Sequence, residues 1–180
     1  MSPQLLMEPL GVYLNDHLTG AFAGSALAHR MADTHADSHR AADLRRLAHD
    51  VEQDRDDLVR IMHSLGVPAR HYRTWLGLAG ERLARLKPNG TLMRRSPLSD
   101  LIELEAMRTG VEGKAALWRA LRALADNDSR LDPDGLDRLA ERAREQAYTL
   151  NKWHQKISPV VLRPNGAATV GHDSGSPKAV

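Results

Sequence analysis

Two long stretches of helical periodicity, a connection of about thirty residues, and two further periodic stretches follow one another along this chain. An antiparallel helix pair needs only a short loop, so a connection of that length carries the chain across a bundle before the second pair begins. The order constrains the architecture far more than it constrains the chemistry. The first stretch, expected near residues 10–32, puts Leu10, Leu14, Leu18, Ala21, Ser25 and Ala28 on one face. Gly20 and Gly24 within it lower helix propensity and invite close approach of a neighbour. The second, near 38–65, carries Leu44, Leu47, Val51, Leu58, Met62 and Leu65, with Gly66 as the candidate C-terminal cap and Pro68 as the stop. Helices near 98–124 and 133–157 open on Ser96-Pro97 and Asp132-Pro133, a capping side chain followed by a proline whose fixed φ suits the first turn. Trp75, Leu76, Leu78, Ala79, Leu83 and Leu86 predict a shorter fifth helix over 69–86, inside the connection. The expected organisation is a single helical domain over residues 1–157, followed by a disordered tail, 158–180, of Gly, Pro, Ser and single polar residues.

Composition narrows the core and excludes several chemistries. Aromatic residues make up only 4% of the chain, so the interior has to be built from Leu, Ala, Val and Met, which suits close-packed helices. Cysteine is absent, which removes disulfides, thiolate ligands and a cysteine nucleophile. No glycine-rich phosphate loop is present, and Ser25 has no strained turn to expose it as a hydrolase nucleophile. The opening Met-Ser-Pro-Gln-Leu-Leu lacks a signal pattern, and no apolar run approaches the roughly 20 residues of a membrane span, so a cytoplasmic bacterial protein is expected.

The stretches Tyr13-Leu-Asn-Asp-His-Leu18, Arg85-Leu-Lys-Pro-Asn-Gly90, Arg95-Ser-Pro-Leu-Ser-Asp100 and Gly110-Val-Glu-Gly-Lys114 give the chain a resemblance to the ferritin-like superfamily, and within it to an uncharacterised bacterial group. The likeness covers about residues 10–157 and implies an all-α four-helix bundle of two antiparallel hairpins joined by a long crossover. Iron-binding members use a Glu from one helix of each hairpin and Glu-x-x-His from the other. Here no His follows a Glu by three residues, and the mid-bundle positions read as Ala21, Val51, Gly110, Ala143 and Ala147. A central di-metal site is therefore not expected, and iron, manganese or zinc enters only through an off-centre alternative.

That alternative rests on polar residues that fall on the helical seams. Folding the first hairpin about residue 36 brings His17 level with Asp54 and Arg55; folding the second about residue 129 brings Glu103 near His154 and Lys114 near Gln146. The functional reading makes His17–Asp54 or Glu103–His154 a metal or acid–base site, because a carboxylate fixes an imidazole's tautomer and raises its basicity. The structural reading makes each a satisfied buried pair that sets helix register. Two ligands fall short of the three or more that zinc or iron takes, and Lys114 works against a bound cation, so the structural reading is preferred. His35 and His39, four apart, form a weaker surface pair.

Charge placement is uneven. Between residues 69 and 95, Arg70, Arg73, Arg82, Arg85, Lys87, Arg94 and Arg95 face a single acid, Glu81; this segment carries +6 in a chain of net +2, leaving −4 for the rest. Such a segment suits an anionic surface or an acidic protein partner, against the plainer reading of a solvated face. Homo-oligomerisation is compatible with the pattern. The expectation is a structural or interaction module, with an atypical metal-binding or oxidoreductase protein as the alternative.

Overall fold

The computed structural model describes residues 3–69 and 96–163, with side chains from Pro9 onward. These residues form four helices: α1 (Pro3–Thr34), α2 (Ala41–Ser64), α3 (Pro97–Ala125) and α4 (Pro133–Val161). No strand occurs among the described residues. The chain is an all-α bundle, and none of these helices is long and apolar enough to cross a membrane. The predicted helix over 69–86 and the cations Arg70, Arg73, Arg82, Arg85, Lys87, Arg94 and Arg95 lie outside the described residues.

α1 pairs with α2 and α3 with α4, each as an antiparallel hairpin, and α1 also packs on α3. Cross-links between side chains fix the directions. Arg30 Nη2 lies 2.9 Å from Glu103 Oε1, and His35 Nε2 lies 3.4 Å from Asp100 Oδ2, so the end of α1 meets the beginning of α3. At the opposite end, Arg130 Nη1 in the α3–α4 corner donates to the Leu65 carbonyl at 3.0 Å. α2 and α3 therefore run parallel. The chain leaves α2 at one end of the bundle and enters α3 at the other, about 36 Å away along a 24-residue helix.

The interior is built as the composition demands, from Leu14, Leu18, Leu58, Met62, Val111, Leu121, Ala143 and Leu150, with Trp118 the one aromatic ring buried completely among the described residues. The end of α2 shows how sequence becomes boundary. Gly66 adopts φ +69°, open to glycine without steric cost, and turns the chain so that Gly66 N–H donates to His63 O at 3.0 Å and Val67 N–H to Met62 O at 2.9 Å. Two otherwise orphaned carbonyls are satisfied, and Val67 and Met62, both buried, close over the turn. Ser96 caps α3 by accepting from Leu98 N–H at 3.3 Å. Asp132 starts α4 in extended backbone without a capping hydrogen bond, its carboxylate lying 3.6 Å from Arg138 instead.

The structure departs from the sequence expectation at several points. α1 begins at Pro3 rather than near residue 10, and carries Pro9 as an interior residue that forgoes one backbone hydrogen bond. α4 continues past residue 157 to Val161: Ser158 Oγ donates back to the His154 carbonyl at 2.7 Å, Leu162 N–H reaches the Ser158 carbonyl, and Pro159 removes a single donor without ending the helix. Residues 158–161 are thus helical, and 164–180 lie outside the described residues. Gly110 is exposed, not a core position, because the buried stripe of α3 runs through Met107, Val111 and Ala115. Of Gly20 and Gly24, only Gly24 meets a neighbour, with Val51 Cγ1 4.0 Å from where its Cβ would stand; Gly20 faces open space.

Candidate functional site: a buried ionic cluster

Along α2 the residues Leu47, Val51, Asp54 and Leu58 recur at helical spacing on the inward face, so Asp54 occupies a core position with its side chain 1% exposed. A carboxylate there is stable only if its charge and lone pairs are met. They are met from two other helices. Lys114 of α3 donates to Asp54 Oδ2, which also accepts from Gln146 Nε2 of α4 at 3.2 Å. Oδ1 accepts from Arg142 of α4 through Nε at 2.7 Å and through Nη2. Lys114 Nζ donates in addition to Gln146 Oε1 at 2.6 Å, and Arg142 Nη2 to Asp57 Oδ2 at 2.7 Å. Two carboxylates face two cations, and the cluster is neutral as a set.

Burial pushes the Lys114 ammonium below its ordinary value, opposed by the charge of Asp54, its hydrogen bond and the more distant Asp50. Desolvation also works against the Arg142 guanidinium, but Asp54 and Asp57 more than offset it and hold the group above its usual range. The arrangement is a three-helix lock: α2 supplies the anion, α3 an ammonium, α4 a guanidinium and an amide.

Of the expected pairs, the second hairpin brings Lys114 and Gln146 together at the level its loop implied. His17 and Asp54 are not paired. Leu14 and Leu18 take the inward positions of α1, which leaves His17 half-buried at the edge of that face with its ring edge-on to Tyr13, centroids 4.5 Å apart at 70°. Asp54 points instead toward α3 and α4. Burial lowers the His17 imidazole below its ordinary value, with Asp16 opposing. Glu103 and His154 are not paired either: Glu103 turns to Arg30 of α1, whereas Glu105, two residues on and so facing α4, takes His154 at 2.9 Å. The longitudinal levels agree with the hairpin geometry, and the angular positions do not. Arg55 lies over the Phe22 ring, 5.3 Å from its centroid, and pairs with Glu52 and Asp56.

Arg142 and Asp57 escaped the sequence reading. Asp57 could have been found as the residue one turn after Asp54 on the same side of α2; Arg142, beside the buried Ala143, needed the relative rotation of α2 and α4, which no single-helix pattern contains. His35 donates through Nδ1 to the Met31 carbonyl at 3.1 Å and turns Nε2 to Asp100, so the His35/His39 pair does not converge. Beside it, Met31, Arg40, Leu44 and Trp153 help to line a cavity of about 20 Å³, room for one water molecule. Among the described residues no three His, Asp or Glu side chains converge as a metal site would require. No protein-family model, curated protein or solved structure matches the chain.

Proposed function

We propose that this protein is a ferritin-like bundle acting as a structural or interaction module, in which the chain's own cations fill the polar interior. The observation that carries this reading is the state of Asp54: both of its oxygens are taken by Lys114, Arg142 and Gln146, and Gln146 Oε1 is taken by Lys114. Oxygen ligands already committed to a tethered ammonium and a guanidinium are not offered to a divalent ion, which would have to displace two bonded cations from a low-dielectric site. The ferritin-like assignment draws support from two antiparallel hairpins whose middle helices run parallel, requiring a traverse between them. The module acts by contact, through the +6 segment between residues 69 and 95, toward an anionic surface or an acidic protein.

The test is elemental analysis of untagged protein purified without chelators. No stoichiometric iron, manganese or zinc is expected, and Lys114→Met should not create a requirement for one. A stoichiometric metal that is lost on mutating Asp54, Glu103 or His154 overturns the reading in favour of an atypical metal-binding or oxidoreductase protein.

A further inference from the structure

The corner between α1 and α2 holds an imidazole whose two nitrogens both meet acceptors. His35 follows the last residue of α1, and its backbone N–H reaches the Met31 carbonyl at 3.2 Å, one of those a helix end leaves open. Its Nδ1 lies 3.1 Å from the same carbonyl, and its Nε2 lies 3.4 Å from Oδ2 of Asp100 in the first turn of α3. A carbonyl oxygen only accepts, so Nδ1 is the donor there. A neutral ring has a single N–H, which would leave the Nε2 lone pair aimed at a carboxylate. Only the imidazolium donates from both nitrogens. We infer that His35 and Asp100 form a proton-dependent clasp, closed when the imidazole is charged, that fastens the first hairpin to the start of the second.

The surroundings of the ring favour the charged form from two helix ends. α1 presents its negative C-terminal end to His35, and Asp100 occupies the complementary N-terminal end of α3. The pair is sheltered, with side chains 17% and 29% exposed. Against it stands Arg40, whose side chain lines the same cavity of about 20 Å³ and opposes a second cation there. One turn along each helix, Arg30 and Glu103 are paired with each other. α2 and α4 bring the uncharged Leu44, Trp153 and Ile157 to the cavity wall. The cavity also gives the neutral state a way to relax. A water entering it can donate both to the bare Nε2 and to the Asp100 carboxylate, so that a direct charged hydrogen bond becomes a bridged neutral one. Arg30–Glu103 holds α1 to α3 whether or not His35 is charged. Opening is therefore confined to the α1–α2 corner and the first turn of α3.

Amide hydrogen exchange of the full chain tests this, because the clasp predicts a local pH profile. The amides of residues 101–104 bond to carbonyls in the first turn of α3. Their protection, corrected for intrinsic exchange, should fall about threefold from about pH 5 to about pH 8, the size expected of a partly exposed ion pair. The stabilisation is present on the acid side of the imidazole range and is lost as pH rises through it. That sign is opposite to the one at His17, where burial disfavours the proton. In His35→Gln the profile should be flat, whereas His39→Gln, which alters an exposed imidazole of the same corner, should keep it. A flat profile in the parent, or a slope that survives in His35→Gln, would overturn the inference. Nitrogen NMR of the parent gives a readout that needs no variant. On the acid side the His35 Nε2–H should exchange slowly enough to be observed, and Nδ1 should keep its proton when Nε2 loses its own. A neutral ring protonated on Nε2, or an Nε2 proton lost to water too fast to be seen, counts against the clasp.

Discussion

The α1 side of the bundle and the seam between α2, α3 and α4 solve the same problem by different physics. On α1, Leu14, Leu18, Ala28 and Met31 are buried together, and the buried Ser25 hydroxyl finds no hydrogen-bond partner among the described residues. Across the other seam, Asp54, Lys114, Arg142 and Gln146 are joined by directed bonds that exist in only one register. Apolar packing is roughly proportional to buried area and tolerates sliding; a multiply bonded carboxylate does not. The first kind of contact supplies stability. The second specifies how the hairpins meet, at a desolvation cost that only complete pairing offsets.

The comparison is broken most severely by removing its anion. Asp54→Ala leaves the Lys114 ammonium without its carboxylate and Arg142 with Asp57 alone, and by analogy with buried ion pairs it should cost about 3–5 kcal/mol in chemical denaturation. The sharper experiment removes the polar set together: Asp54→Leu with Lys114→Met, Arg142→Leu and Gln146→Leu, Asp57 keeping Arg60 as its partner, should recover most of that loss, because a packed apolar seam of similar volume is often as stable as the ionic one. If stability returns but the variant populates more than one arrangement by NMR, the cluster's role is register. If stability does not return, the cluster contributes net free energy and the contrast drawn above is wrong.

On the α1 side the corresponding probe is Leu14→Ala. Leu14 is fully buried, and truncation should cost about 2–4 kcal/mol from lost transfer energy and the cavity left behind. Because Leu14 is held by shape alone, Leu14→Met should be nearly neutral, whereas no conservative exchange is expected at Asp54: Asp54→Asn keeps the shape but removes the carboxylate charge that meets Lys114 and one of the two that meet Arg142. Paired melts of Leu14→Met and Asp54→Asn would therefore separate the two kinds of contact more cleanly than either alanine variant.

How much of this was readable beforehand follows from what each signal encodes. The apolar rows of α2 and the Ser96-Pro97, Asp132-Pro133 and Gly66 punctuation mark elements accurately, because period and cap chemistry are local. Hairpin levels are also accessible, since two helices joined by a short loop share a register counted from it; Lys114 and Gln146 were matched on that basis. Rotation of one helix about its axis relative to another is a tertiary property. It turned His17 away from Asp54, and it separated Glu103, which faces Arg30, from Glu105, which faces His154. Arg142 was hidden for the same reason: a long side chain anchored beside the seam reaches into it, and Cα position alone does not show this.

The smallest effect expected lies at the edge of the α1 face, where a titratable group meets packing. Burial holds the His17 imidazole below its ordinary value of 6.5, so the folded protein takes up this proton less readily than the unfolded chain. As pH falls through the ordinary imidazole range, the unfolded state is protonated first and the fold loses stability; above that range His17 contributes no pH dependence. In His17→Gln that loss should disappear, so the parent-minus-variant difference in melting temperature should be flat above neutrality and turn against the parent on acidification. Because the edge-on Tyr13 ring forms part of what buries the imidazole, Tyr13→Ala should move the His17 NMR titration midpoint upward toward the ordinary value. An unchanged midpoint would assign the depression to the helix surroundings, and a midpoint that falls would mean the ring favours the charged imidazole through its π-face. Either result would separate an apolar edge that merely excludes water from one that interacts with charge, the distinction on which the two seams differ.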